Sequence, residues 1–293
     1  MKLKACLHNV QTKLFLVLAT AIFLLGAGLH AFADSPHLLM GNPSQATTDL
    51  ANKNNFLMEK PYFALSYNDS METPNWVSWH LTKSDLGSAP RVPFYPDDTL
   101  PVGFTRVTPK DYTGGGFDRG HMCPHSDRGA NTDMSHATFV MSNIIPQAPN
   151  VNEKAWAQLE AYCRYLVEHE NKTLYIVCGP AGKGGIGRNG RKASIGKQNK
   201  VVVPSKCWKV IMVLDAGPGD DLQKVNENTR LIAVIMPNNK TVGEDWTDYR
   251  TSVQDVEKLT GYKFFDKAPS STMASLKEEV DQERIPSLNK TSD

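Results

Sequence analysis

Phe117-Asp118-Arg119-Gly120-His121, with Asn152 and Glu160 following on one helical stretch, is the part of the chain from which the fold can be read. It supplies an imidazole base, an amide oxygen able to ligate a metal, and a second carboxylate. A single histidine more often has a packing role, so the weight falls on the combination. From Asn152 to about Glu168 the apolar residues Trp156, Leu159, Cys163 and Leu166 recur at helical spacing, and Asn150 or Asn152 is expected to cap this helix. Asn152 and Glu160 are then about 80° apart around the helix and about 12 Å apart along it. Both cannot easily touch one ion. Asn152 would ligate directly and Glu160 would reach the ion's water shell, a sparse set that a magnesium-type ion tolerates. Arg164 follows Glu160 on the same face. From the helix alone, the same residues read more readily as an N-cap and an ordinary surface Glu–Arg pair.

Outward from this segment the chain reads mainly as strands. Tyr62 to Tyr67 and Trp76 to Leu81 form a hairpin with a longish connection, and residues 34–60 are a polar, turn-rich lead-in to the same domain. Residues 83–116, rich in Pro and Gly, are expected to be extended loops that deliver Arg91 and then His121 to a common site. Ala137 to Ile145 is a strand candidate ended by Pro146. Leu174 to Cys178, Val201 to Val203, Cys207 to Leu214 and Leu231 to Met236 are β-branched, apolar runs. Asp245 to Tyr262 reads as a closing helix with Gly261 near its end, and the polar tail 267–293 as loosely attached. Strands follow one another without regular crossovers, so the class is α+β with a central, largely antiparallel sheet and flanking helices.

Two competing motifs are weak. His121 and His125 have the spacing of a helical zinc pair, but Pro124 lies between them and Met122 stands where a metalloprotease needs Glu. His125 and His136 are expected to be exposed loop residues. Gly185-x-Gly187-x-x-Gly190 resembles a dinucleotide fingerprint, yet no helix pattern opens at its third glycine. The stretch from Gly182 to Lys200 carries Lys183, Arg188, Arg191, Lys192, Lys197 and Lys200 with no acid, which suits a solvated hairpin loop or one that brushes a phosphate backbone.

Lys2, Lys4 and Lys13 precede an apolar run from Leu14 to Gly28, followed by Ala31-Phe32-Ala33, the layout of a secretory signal peptide over residues 1–33 cut before Asp34. The run is shorter than the roughly 20 residues needed to span a bilayer, so no stable membrane association is expected after cleavage, and the protein is expected to be secreted or periplasmic. The whole chain has 32 basic and 31 acidic residues; loss of those three lysines leaves 29 against 31, a net charge near −2. Any polyanion must therefore be held by a local positive site. Cys123, Cys163, Cys178 and Cys207 remain, and Cys178 with Cys207 is the first candidate for a disulfide.

Taken together, the motifs resemble the DNA/RNA non-specific endonucleases of the ββα-metal (His-Me finger) fold, over roughly Leu38 to Asp266. The marks are Gly41-Asn42-Pro43-Ser44, Thr73-Pro74-Asn75-Trp76-Val77-Ser78-Trp79, the Phe117–His121 string, Ser142-Asn143-Ile144-Ile145-Pro146-Gln147, and Asn152-Glu153-Lys154-Ala155-Trp156 running on to Leu159-Glu160. The resemblance implies His121 as general base, Asn152 as the one direct protein ligand of Mg2+ (with Mn2+ as an alternative ion), and Glu160 as holder of metal-bound water. It also implies Arg91 and Arg164 as phosphate contacts, Asn143 as a support near the base, and Arg119 with Asp118 in positioning and substrate contact. Cys123 departs from the small residue usual two positions after the base; it is read as packing, with metal ligation or oxidation as the alternative.

The activity so implied is hydrolysis of DNA and RNA phosphodiesters to 5′-phosphate ends, with nucleic acid as substrate and a proteinaceous inhibitor as a further partner. Acid should suppress it as His121 takes up a proton, near roughly pH 6.5 for an unperturbed imidazole. Two other readings fit fewer of the residues: an exported, non-catalytic nucleic-acid-binding protein on the same scaffold, and a metal phosphoesterase acting on lipids or small phosphates.

Overall fold

Apolar residues run almost continuously through the central strands because both faces of the sheet are covered. The computed structural model describes residues 35–286. The first strands are β1 (Phe56–Lys60), β2 (Phe63–Asn68) and β3 (Thr73–Leu81). Then come β4 (Asp118–His121), α1 (Thr132–Thr138), β5 (Ile144–Gln147) and α2 (Trp156–His169). They are followed by β6 (Lys172–Ala181), β7 (Gly185–Gly187), β8 (Gly190–Lys192), β9 (Ser194–Ile195), β10 (Val201–Val202) and β11 (Lys206–Asp215). The chain continues through α3 (Asp221–Lys224), β12 (Arg230–Pro237), β13 (Arg250–Thr251), α4 (Val253–Thr260) and α5 (Ser270–Leu276). Seven strands form one sheet in the order β1-β2-β3-β6-β11-β12-β13, every neighbouring pair antiparallel. This is the expected α+β class. Among the described residues no helix is long and apolar enough to cross a membrane; the signal-peptide segment lies outside the described residues.

Alternation along β11 shows how the two cores arise. Cys207, Ile211 and Val213 face the side covered by α2, with Trp79, Trp156, Leu159 and Leu166. Trp208, Val210, Met212 and Leu214 face the other side, with Trp76, Val177, Phe264 and Met273. The helical stripe Trp156, Leu159, Cys163 and Leu166 is fully buried, at about 1.5–3 kcal/mol for each large side chain removed from water. The lead-in segment is tied to the second face: Ser78 Oγ donates to the His37 carbonyl at 2.6 Å, and Trp76 Nε1 to Ser44 Oγ at 2.7 Å.

Several local expectations are corrected. The helix at Asn152 has no side-chain cap; a π-helical turn, Val151–Ala155, leads into α2, with Asn150 already helical and the Val151 and Asn152 amides donating to the Ala148 carbonyl. Ala137–Ile145 is not one strand. Asn131 caps α1 by accepting from the Met134 amide, a 3-10 turn spans Met141–Asn143, and the strand is Ile144–Gln147 with Pro146 inside it. Proline is tolerated because β5 pairs with β4 alone. The closing helix is shorter than Asp245–Tyr262: Arg250 and Thr251 pair with β12, Ser252 caps α4, and Gly261 closes it in the left-handed conformation.

The segment after Asp266 is held rather than loose as far as it is described. Met273 and Leu276 enter the second core, and Asp281 accepts from Nε and Nη2 of Arg230, at 2.7 and 3.0 Å. The disulfide is absent too. All four cysteines in residues 35–286 are free and buried. Cys207 lies opposite Pro180 and Cys178 opposite Lys209, so the two thiols are offset by two residues across adjacent strands.

Candidate active site

β4 and β5 make a two-stranded ribbon in which His121 pairs with Ile144 and Asp118 with Gln147, and α2 follows directly. Gly120 lies close against the buried Gln147 side chain, and a Cβ there would fall 2.7 Å from its Cγ. Beside it opens a cleft of about 1760 Å3 lined by His121, Asn152, Glu160, Arg91, Arg119 and Arg164. The loop carrying Arg91 and the strand carrying His121 thus converge as expected. The cleft exceeds the roughly 300–1,000 Å3 of a small-molecule pocket, which suits a polymer better than a small phosphate ester.

The His121 ring stands edge-on to Phe139, centroids 4.8 Å apart, and 5.2 Å from Phe94. Its Nε2 is sealed from solvent without a hydrogen-bond partner, which leaves Nδ1 as the nitrogen facing the cleft. Nδ1 accepts a proton only in the tautomer with hydrogen on Nε2. Burial, reinforced by Arg91 and His125, lowers the imidazole from its ordinary 6.5 to about 3. The ring is therefore neutral. Arg91 lies over Phe139, 5.3 Å from its centroid. The reading of His125 is corrected, since it is half-buried in a 3-10 turn with its ring 6.4 Å from that of His121. His136 is exposed as expected, but it lies on α1 rather than in a loop, stacked on Tyr95.

Asn152 Nδ2 donates to Asp118 Oδ2 at 3.1 Å. A carboxylate only accepts, so this bond fixes the amide orientation and leaves Oδ1 as the free hard donor. Among the described residues no group of three or more His, Cys, Asp or Glu side chains is placed to hold a metal. A cation held by Asn152 would keep most of its water, which fits a magnesium-type ion. Glu160, about two turns beyond Asn152 and on α2, sits at the cleft wall with Oε1 3.6 Å from Lys209 Nζ. Burial raises its carboxyl above the usual range, opposed by Lys209.

Arg164 does not pair with Glu160. Its Nη1 donates to Asp127 Oδ1 at 3.1 Å, while Trp79 Nε1 holds the other Asp127 oxygen at 3.0 Å. Arg119 donates to the Pro109 carbonyl at 2.8 Å and lies 5.6 Å from the Phe94 ring centroid, so it braces the site while still lining the cleft. Asn143 lies beneath the cleft, completely buried, and donates to the Cys123 and Thr138 carbonyls while accepting from the Cys123 amide. It staples the backbone immediately after the base. Cys123 itself is buried in the main core and its thiol is pushed up by burial, as packing requires.

Lys209 is a functional candidate that sequence reasoning missed. It is 1% exposed on the α2 face of β11, with Nζ 4.2 Å from the Trp156 ring centroid. Burial is the largest influence and works against its charge, but Glu160 together with Cys178, Cys163 and Asp127 holds its pKa above the ordinary value. The signal was one cation inside the apolar run Cys207–Leu214.

A family model described as DNA/RNA non-specific endonuclease matches residues 41–271. A nuclease of Nostoc sp. is 46% identical over 250 residues, covering 84% of this chain and 86% of that protein. Nuclease C1 of Cunninghamella echinulata is 33% identical, covering 75% of this chain and 86% of its own, and a nuclease of Serratia marcescens is 28% identical, covering 89% and 92%. A solved structure of the EndoG/EndoGI complex, described as showing the mechanism of EndoG inhibition, matches with a TM-score of 0.64 at 24% identity over 80% of this chain and 92% of that one. That likeness is one of fold.

Proposed function

Because the chain belongs to the DNA/RNA non-specific endonuclease family, we propose that it cuts both nucleic acids at this cleft with His121 as general base and one magnesium ion on Asn152, leaving 5′-phosphate ends. The observation that carries the reading is that His121 and Asn152 border one cleft, with the amide turned so that its oxygen is free. His121 Nδ1 takes a proton from the attacking water, and the depressed pKa keeps the ring ready to accept it. When bound, a hydrated divalent cation supplies charge neutralisation at the phosphoryl oxygens. Glu160 would hold water bound to such a cation. Arg91 and Arg164 add fixed positive charge where the transition state becomes more negative, an effect commonly worth several kcal/mol. These groups meet phosphate and water rather than base edges, so sequence selectivity is low.

The test is cleavage of plasmid DNA and of RNA by purified protein, with magnesium and with chelator. Both should be cut only with the ion, to ends that a ligase joins without prior phosphorylation. Failure on both substrates would overturn the reading, and 3′-phosphate ends would overturn the direction of attack. Export is part of the same proposal, supported by the basic and apolar pattern of residues 1–33; N-terminal sequencing of exported protein should begin at Asp34. A proteinaceous inhibitor is proposed as a partner, supported by the shared fold with a nuclease described in complex with one.

A further inference from the structure

The glycine motif of residues 185–190 has no part in the mechanism above, yet it brings a side chain to the metal-ligand pair. We propose that Arg188, at the tip of the β7–β8 hairpin, is a positioning residue that sets the Asn152 amide through Asp118. This rests on Asn152 being the cation's ligand. Arg188 Nη1 donates to Asp118 Oδ1 at 2.9 Å, while Asp118 Oδ2 accepts from Asn152. The two oxygens of one carboxylate are thus divided between the arginine and the ligand. With one donor the carboxylate can turn about its last torsion; with donors on both oxygens it is fixed, and so is the amide. The second arm of Arg188 reaches Glu153 Oε1 at 3.1 Å, so one planar guanidinium spans β4 and the π-helical turn that carries Asn152.

The hairpin is built to hold that geometry. The Arg188 amide donates to the Gly116 carbonyl at 2.8 Å, and Asn189 Nδ2 to the Gly114 carbonyl at 3.1 Å. Gly187 is pressed so closely on this segment that a Cβ would lie 2.2 Å from the Gly116 oxygen. At its root the Ile186 amide donates to the Asn238 carbonyl. The glycines therefore serve backbone-to-backbone docking beside the site. Arg188 is 57% exposed, so its ion pairs contribute little to stability; their effect lies in where Asp118 points.

The experiment uses Arg188→Ala, Arg188→Lys, Asp118→Ala and the Arg188→Ala/Asp118→Ala pair in the full mature protein. Arg188→Ala should lower kcat on the order of tenfold, the usual effect of losing such an outer partner, with KM for DNA and its salt dependence unchanged. Arg188→Lys, which keeps a donor for Asp118, should recover most of the loss. In the Asp118→Ala background Arg188→Ala should add nothing, since it acts through a group already removed. In metal-free protein the side-chain amide resonance of Asn152, identified by its loss in Asn152→Asp, should move in Arg188→Ala as it does in Asp118→Ala. Losses that multiply in the double variant, or a raised KM with an unmoved amide resonance, would assign Arg188 to the substrate backbone and overturn the proposal. His121→Ala in the same assay keeps the two readings apart: loss of cleavage there upholds the site whatever Arg188 does.

Discussion

At His121, the aromatic wall that shields the ring decides how the site answers acid. Its pKa falls from 6.5 to about 3, so the folded protein keeps the neutral base where the unfolded chain has already taken up a proton. The associated stability is full above pH 6.5 and is lost as pH falls toward 3. The acid limb of the pH–rate profile is expected well below 6.5, lower than an unperturbed imidazole would give; a midpoint at 6.5 or above would contradict the burial argument. His121→Ala is expected to lower kcat about 10²- to 10⁴-fold while the far-ultraviolet circular dichroism stays unchanged. Lys209→Met leaves Glu160 without its buried partner and should lower unfolding stability by about 3–5 kcal/mol, read from urea titration at neutral pH. That His121, Asn152 and Glu160 would share one cleft was legible in the sequence because the chemistry of each type limits what it can do. Lys209 and Arg188 were not, because their roles depend on strand register and on where a hairpin docks.

Among the elements, α2 was the easiest to foresee: its stripe repeats at helical spacing and every member is buried. Leu159→Ala, which opens a cavity between α2 and the sheet, should cost about 2–5 kcal/mol in the same titration; a loss below 1 kcal/mol would mean the stripe is not packed as described. The way into this helix was not legible. A π-helical turn has no sequence signature comparable to a cap, and Asn152 looks like a capping residue while its side chain is turned to Asp118. Ala137–Ile145 and Asp245–Tyr262 failed for a related reason. In both, a capping residue, Asn131 ahead of the first stretch and Ser252 within the second, sets boundaries that apolar content alone does not reveal.

For the molecule as a whole, antiparallel order could be read from strands that follow one another without crossover helices, and all six neighbouring pairs of the large sheet obey it. Polar composition hid the docking of the C-terminal segment, which Met273, Leu276 and Asp281 help to anchor. Truncation after Asp266 should lower the thermal unfolding midpoint, because it uncovers the second core and leaves Arg230 without Asp281. With 32 basic residues against 31 acidic, capture of substrate rests on local cations, so KM should rise with salt. The four sequestered thiols carry one more consequence. Burial pushes Cys163 and Cys207 up to about 12 and the other two higher, so scarcely any thiolate exists to react. A nuclease stapled by no sulfur bridge in residues 35–286 should melt at the same temperature with or without dithiothreitol, and so tolerate oxidising and reducing surroundings alike.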